Sequence, residues 1–61
     1  MAWVAVDLND GEYIFEYEPR RDFKYSCFLS YDMDDYIDLP QGTIEKIIGR
    51  KLTWDDEPVE I

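Results

Sequence analysis

The triplet Asn9-Asp10-Gly11 constrains this chain more than any other feature. Before it stands Trp3 to Leu8 (WVAVDL) and after it Glu12 to Tyr17 (EYIFEY), both rich in β-branched and aromatic residues. Asn and Asp tolerate left-handed backbone angles and Gly adopts them freely, so such a triplet between two strand-forming runs encodes a β-hairpin.

The pattern then breaks at Glu18-Pro19-Arg20-Arg21, because Pro19 cannot donate to a central ladder. A third strand is expected from Asp22 to Ser30 (DFKYSCFLS), where Phe23, Tyr25, Cys27 and Leu29 alternate with polar residues. Phe28 falls on the polar side and spoils that alternation. Asp35 to Leu39 (DYIDL) reads as a short fourth strand closed by Pro40. Next the period changes: Ile44, Ile47 and Ile48 stand at i, i+3, i+4, one face of a helix, with Pro40 before it and Gly49 just past its end. KLTW and PVEI, separated by Asp55-Asp56-Glu57, read as a last strand and an extended tail. The expected fold class is therefore α+β: a small, twisted antiparallel sheet in the order β-β-β-β-α-β with one short helix, a single domain over 1–61.

A chain of 61 residues is near the lower limit for a core that needs no metal or disulfide. Ten aromatics and a full set of aliphatics nevertheless argue against disorder. The lone cysteine, Cys27, has no partner for an internal disulfide and favours a reducing compartment. The start MAWVAVDLND has neither the basic n-region of a signal peptide nor a span-length apolar run, so a cytoplasmic location is expected.

Catalytic and metal chemistry find little support in the residue types. With no histidine and one cysteine there is no ligand set for zinc, and the usual base for an activated nucleophile, a His or a Lys depressed by burial, is not signalled. An EF-hand loop counted from Asp32 puts Ile37 at the sixth position and Thr43 at the twelfth, where Gly and Glu are needed. Two carboxylates could in principle cleave glycosides, but so small a domain has little room for an enclosing cleft. The expectation is a non-enzyme without cofactor or metal. Cys27, placed beside Tyr25 and Leu29, is expected to act as a small buried hydrophobe, and Trp3 and Trp54 to serve the core or its rim.

The remaining feature is charge. Fifteen Asp and Glu face six Lys and Arg, a net charge of −9. Such a chain repels nucleic acid and anionic membranes, and its natural macromolecular partners are basic. The acids fall in three groups: Asp7 to Glu18, including Glu16 and Glu18; Asp32, Asp34, Asp35 and Asp38, with Tyr31 just before them and Tyr36 among them; and Asp55, Asp56, Glu57 with Glu60. A strand advances about 3.4 Å per residue, so Glu16 and Glu18 on one side of a strand lie roughly 7 Å apart. Duplex DNA presents one charge per about 3.4 Å along each strand, so acids on neighbouring strands and turns approach its charge density. A merely solubilising surface would need far fewer uncompensated charges.

The segment WVAVDLNDGEYIFEYEPR, with its Trp-Val-Ala start, hairpin Gly11, aromatics and Pro19-Arg20, and the terminal LTWDDEPVEI, with Trp54 ahead of Pro58-Val59, resemble short acidic proteins encoded by bacteriophages and other mobile elements. Proteins of that type include anti-CRISPR and anti-restriction inhibitors that imitate DNA. The resemblance implies an inhibitor that docks on the basic nucleic-acid-binding surface of a host defence complex. It carries over no individual residue.

Under that expectation the central contacts are Asp32, Asp34, Asp35 and Asp38, with Glu16, Glu18, Asp55, Asp56 and Glu57 assisting and Tyr31 and Tyr36 adding packing. The protein would act as a monomer or weak dimer, touching neither nucleic acid nor membrane directly. Two alternatives stand beside it: a structural or adaptor protein that associates through sheet edges and Tyr13 or Tyr17, and a cation-binding module.

Overall fold

A computed structural model describes residues 2–30 and 36–61. The opening hairpin pairs β1 (Trp3–Val6) with β2 (Glu12–Phe15) in the register Val4 opposite Ile14 and Val6 opposite Glu12. Its turn closes through the Asp7 N–H bonded to the Gly11 carbonyl at 2.9 Å. Asp10, not Gly11, takes the left-handed angle, with φ of 67°. Gly11 sits in a tight place instead: a Cβ there would lie 3.0 Å from both the Asn9 Oδ1 atom and the Tyr13 ring, so those side chains would have to shift to admit one.

Two further strands complete the main sheet. β5 (Tyr36–Leu39) pairs with β2, and β6 (Val59–Glu60) pairs with β1, both antiparallel, giving the order β5-β2-β1-β6. Between β2 and β5 in the chain lies a separate two-stranded hairpin, β3 (Arg20–Asp22) and β4 (Cys27–Leu29). The helix α1 (Thr43–Ile48) follows β5. Among the described residues the architecture is α+β, with antiparallel sheets and one short helix.

Successive side chains of β1 point to opposite faces, and each face has its own cover. Val4 and Val6 pack with Ile44 of α1 and with Leu52, flanked by Ile14, Leu39, Ile48 and Val59. Ala5 packs on the other side with Phe15 and with Phe28 from β4, flanked by Trp3, Tyr13 and Trp54.

Three expectations are corrected. The single strand over Asp22–Ser30 is a hairpin, because Asp22 Oδ1 accepts the Lys24 N–H at 2.8 Å and Ser26 turns left-handed at φ 55°. Phe23 and Tyr25 are thus exposed turn residues, whereas Phe28, which broke the alternation, is the buried one. Lys51–Trp54 forms no strand: Asp56 Oδ2 accepts the Thr53 N–H at 2.8 Å and folds the segment into a turn. Finally, β2 stops at Phe15, so Glu16 and Glu18 are not two steps along one side of a strand.

α1 ends as expected at Gly49, whose φ is 82° and whose N–H reaches the Glu45 carbonyl at 2.9 Å. Its start is unusual. Gly42 at the N-cap offers no side chain, and the orphan N–H groups of Gly42 and Ile44 are met by the Glu12 carboxylate of β2, at 2.7 and 2.9 Å.

Candidate functional site

The acids separate by what each carboxylate does. Four are at least half-buried and occupied inside the molecule. Glu12 caps α1, Asp22 and Asp56 close turns, and Asp7 accepts the Phe28 N–H at 3.0 Å and so ties the end of β1 to β4. Asp10, Glu16, Glu18, Asp38, Glu45, Asp55, Glu57 and Glu60 are exposed. Among the described residues the one ion pair joins Glu57 to Arg21 at 3.6 Å. The exposed acids are therefore left largely uncompensated.

Among the residues expected to meet a partner, Tyr31, Asp32, Asp34 and Asp35 lie outside the described residues. Asp38 and Tyr36 sit on β5, an edge strand of the main sheet, and Glu16 and Glu18 follow the end of β2 beside which β5 begins. Glu60 belongs to that same end, opposite Trp3, whose other neighbour is Phe15. Asp55, Asp56 and Glu57 stand elsewhere, in the turn held against the β3–β4 hairpin. Asp56 is committed to that turn through Thr53, so its carboxylate is less available than those of Asp55 and Glu57.

Arg21 holds this turn. Its guanidinium donates to the Trp54 and Asp56 carbonyls at 2.8 and 2.9 Å and lies 5.1 to 5.2 Å from the Trp54 and Phe28 rings. A planar fork stacked on aromatic rings suits arginine and not lysine. The most buried cation thus serves the fold and is not free to neutralise acids at the far edge.

On the Ala5 face of the sheet there is a pocket of about 120 Å3, lined among others by Asp7, Tyr13, Phe15, Cys27, Phe28 and Tyr36. Tyr13 meets Tyr36 edge to face at 5.7 Å between ring centres, and Phe15 lies 6.0 Å from Tyr36. Burial pushes the Asp7 carboxyl above its ordinary value, aided by the charge of Asp38 and opposed by the Phe28 N–H. Tyr13 is raised by burial and then by Asp7 and Asp38; Cys27 is raised by burial and then by Asp7 and Asp22. A raised thiol stays protonated, consistent with an unreactive, half-buried cysteine.

The sequence reading did not single out Asp7 or this pocket. Strand parity holds the signal: Trp3, Ala5 and Asp7 continue one side of β1, which places a carboxylate on a covered face. Among the described residues no three His, Cys, Asp or Glu side chains are placed to hold a metal ion. No helix among them is long and apolar enough to cross a membrane. Comparison with known proteins gives no match, whether to a family model, a curated protein or a solved structure.

Proposed function

We propose that this chain is a non-catalytic acidic binding protein that docks on the basic, nucleic-acid-binding surface of another protein and keeps nucleic acid off it. The observation that carries the reading is the division of the acids: eight exposed carboxylates, of which one has a cation within ion-pair distance among the described residues. Uncompensated charge destabilises a small domain by self-repulsion, so its retention favours a role in meeting a cationic surface. The resemblance to mobile-element proteins narrows the partner to a host defence complex of the CRISPR-Cas or restriction type. Glu16, Glu18, Asp38, Asp55 and Glu57 form the described part of the contact set, and Asp32, Asp34 and Asp35 complete it.

The test is affinity capture from bacterial lysate at low and high salt, followed by measurement of duplex DNA binding by the captured protein with and without this chain. Wild type should displace DNA, with an association rate that falls steeply with ionic strength. Reversing Glu16, Glu18 and Asp55 to Lys together touches none of the side-chain hydrogen bonds among the described residues and should weaken displacement at least tenfold. A second variant with Asp32, Asp34 and Asp35 reversed identifies the more central group. Undiminished displacement by both variants would refute the reading.

One observation favours a second reading, association through a sheet edge. Ile37 on β5 is 67% exposed and Tyr36 on the same strand 47%. In that case self-association or adaptor binding would respond to Ile37→Lys and hardly at all to salt.

A further inference from the structure

We propose that the pocket between β4 and the β2–β5 edge is a cation-recognition site that receives the tip of one lysine or arginine side chain from a protein partner. The inference rests on the reading of the chain as a binder of basic surfaces and specifies the anchor point.

Three features of the pocket select the occupant. The walls are aromatic: Tyr13, Phe15, Phe28 and Tyr36 line it, and ring faces attract organic cations while presenting an apolar surface to the alkyl stem. An acidic residue belongs to the wall: Asp7 is only 8% exposed, yet it lines the cavity. Asp38 is not one of the lining residues, but it stands opposite Tyr13 on β5 and its charge is felt at Asp7 and Tyr13. No basic residue is among the described residues that line the cavity.

Asp7 is the informative group. Its structural duty, accepting the Phe28 N–H, would be met by an asparagine without the penalty of burying a charge. A neutral or anionic guest would leave that charge unrelieved, and a purely apolar guest would bury it further. A cationic guest removes the penalty and gains the attraction of both carboxylates and the rings. Burial is the first cause of the upward shifts of Asp7, Tyr13 and Cys27, and neighbouring carboxylates add to each: Asp38 at Asp7, Asp7 and Asp38 at Tyr13, Asp7 and Asp22 at Cys27.

The experiment is a two-dimensional NMR titration of the whole chain with N-acetyl-arginine amide and N-acetyl-lysine amide, using N-acetyl-citrulline amide as the uncharged control. Shifts centred on Tyr13, Phe15, Cys27 and Tyr36 are expected, with citrulline at least about tenfold weaker, the effect of losing one charge-assisted contact. The stronger of the two cationic probes identifies the partner residue. Asp7→Asn keeps the acceptor for Phe28 and should weaken cation binding by about tenfold. Asp38→Asn, at an exposed position, should weaken it by a smaller factor. Equal binding of citrulline, shifts spread over the exposed acids, or indifference to both substitutions would overturn the inference. It fails separately from the proposed function. Loss of DNA displacement on reversing Glu16, Glu18 and Asp55, with the pocket silent to arginine and lysine, leaves the function standing and removes the pocket. Saturable pocket binding with no displacement of DNA does the reverse.

Discussion

Arg21 and Asp7 are the two charged side chains whose loss should be felt most, in opposite directions. Arg21→Ala strips the partner from the Trp54 and Asp56 carbonyls and removes a guanidinium stacked on two rings. Hydrogen bonds from a charged donor and ring contacts of this kind together predict a loss of about 3 kcal/mol, read from the urea midpoint. A change below about 1 kcal/mol would mean that the guanidinium does not hold the turn. Asp7 works the other way. Its folded carboxyl binds a proton more tightly than the unfolded chain does, whose value is near 3.8. As pH rises from 3.8 through the raised folded value, the folded state holds more protons than the unfolded one, and stability falls. Asp7→Asn should remove that decline and be more stable than wild type at pH 7, checked by thermal melts across the window. Neither role was visible in residue type alone. By composition Arg21 is one of six Lys and Arg and Asp7 one of fifteen Asp and Glu.

At the level of elements, the hairpin around Asn9-Asp10-Gly11, the strand ending at Pro40 and the Ile44–Ile48 helix were all legible, because turn chemistry and period speak locally. The β3–β4 hairpin was not. Its alternation of Phe23, Tyr25, Cys27 and Leu29 imitates one strand, and only the Asp22 side chain and the left-handed Ser26 reveal the turn. Ser26→Gly should therefore stabilise the protein. A left-handed non-glycine residue costs about 1–2 kcal/mol and glycine adds about 0.5–1 kcal/mol of chain entropy, so the net gain is up to about 1.5 kcal/mol in a thermal melt. A loss of stability would show that the Ser26 side chain matters more than its backbone angle. Remote capping was equally hidden from local pattern, since Glu12 and the turn it serves are 30 residues apart. Glu12→Ala leaves two helix N–H groups without a partner and should cost about 1–2 kcal/mol, with loss of helical signal in circular dichroism. An unchanged melting temperature would mean that water replaces the carboxylate at no cost.

For the whole molecule the dominant quantity is a charge of −9 held within 27 × 23 × 18 Å. At about 0.01 M salt the screening length is about 30 Å, longer than the protein, and at about 0.15 M it is about 8 Å. Raising salt between these limits should lift the melting temperature by about 4–8 °C, which corresponds to about 1 kcal/mol of relieved repulsion. A melt indifferent to salt would indicate that the acids are already neutralised locally. Total charge was readable from composition. Which acids face outward was not, because that depends on pairings such as Glu12 with α1 and Asp56 with Thr53 that only the folded chain makes.

Strand β1 lies between β2 and β6 and lends Val4 and Val6 to one layer and Ala5 to the other. The two layers accordingly share a wall and cannot melt one at a time. Amide protons of Val4, Ala5 and Val6 should be among the last to exchange with deuterium, at the rate of global opening, and a truncation in either layer should speed all three alike.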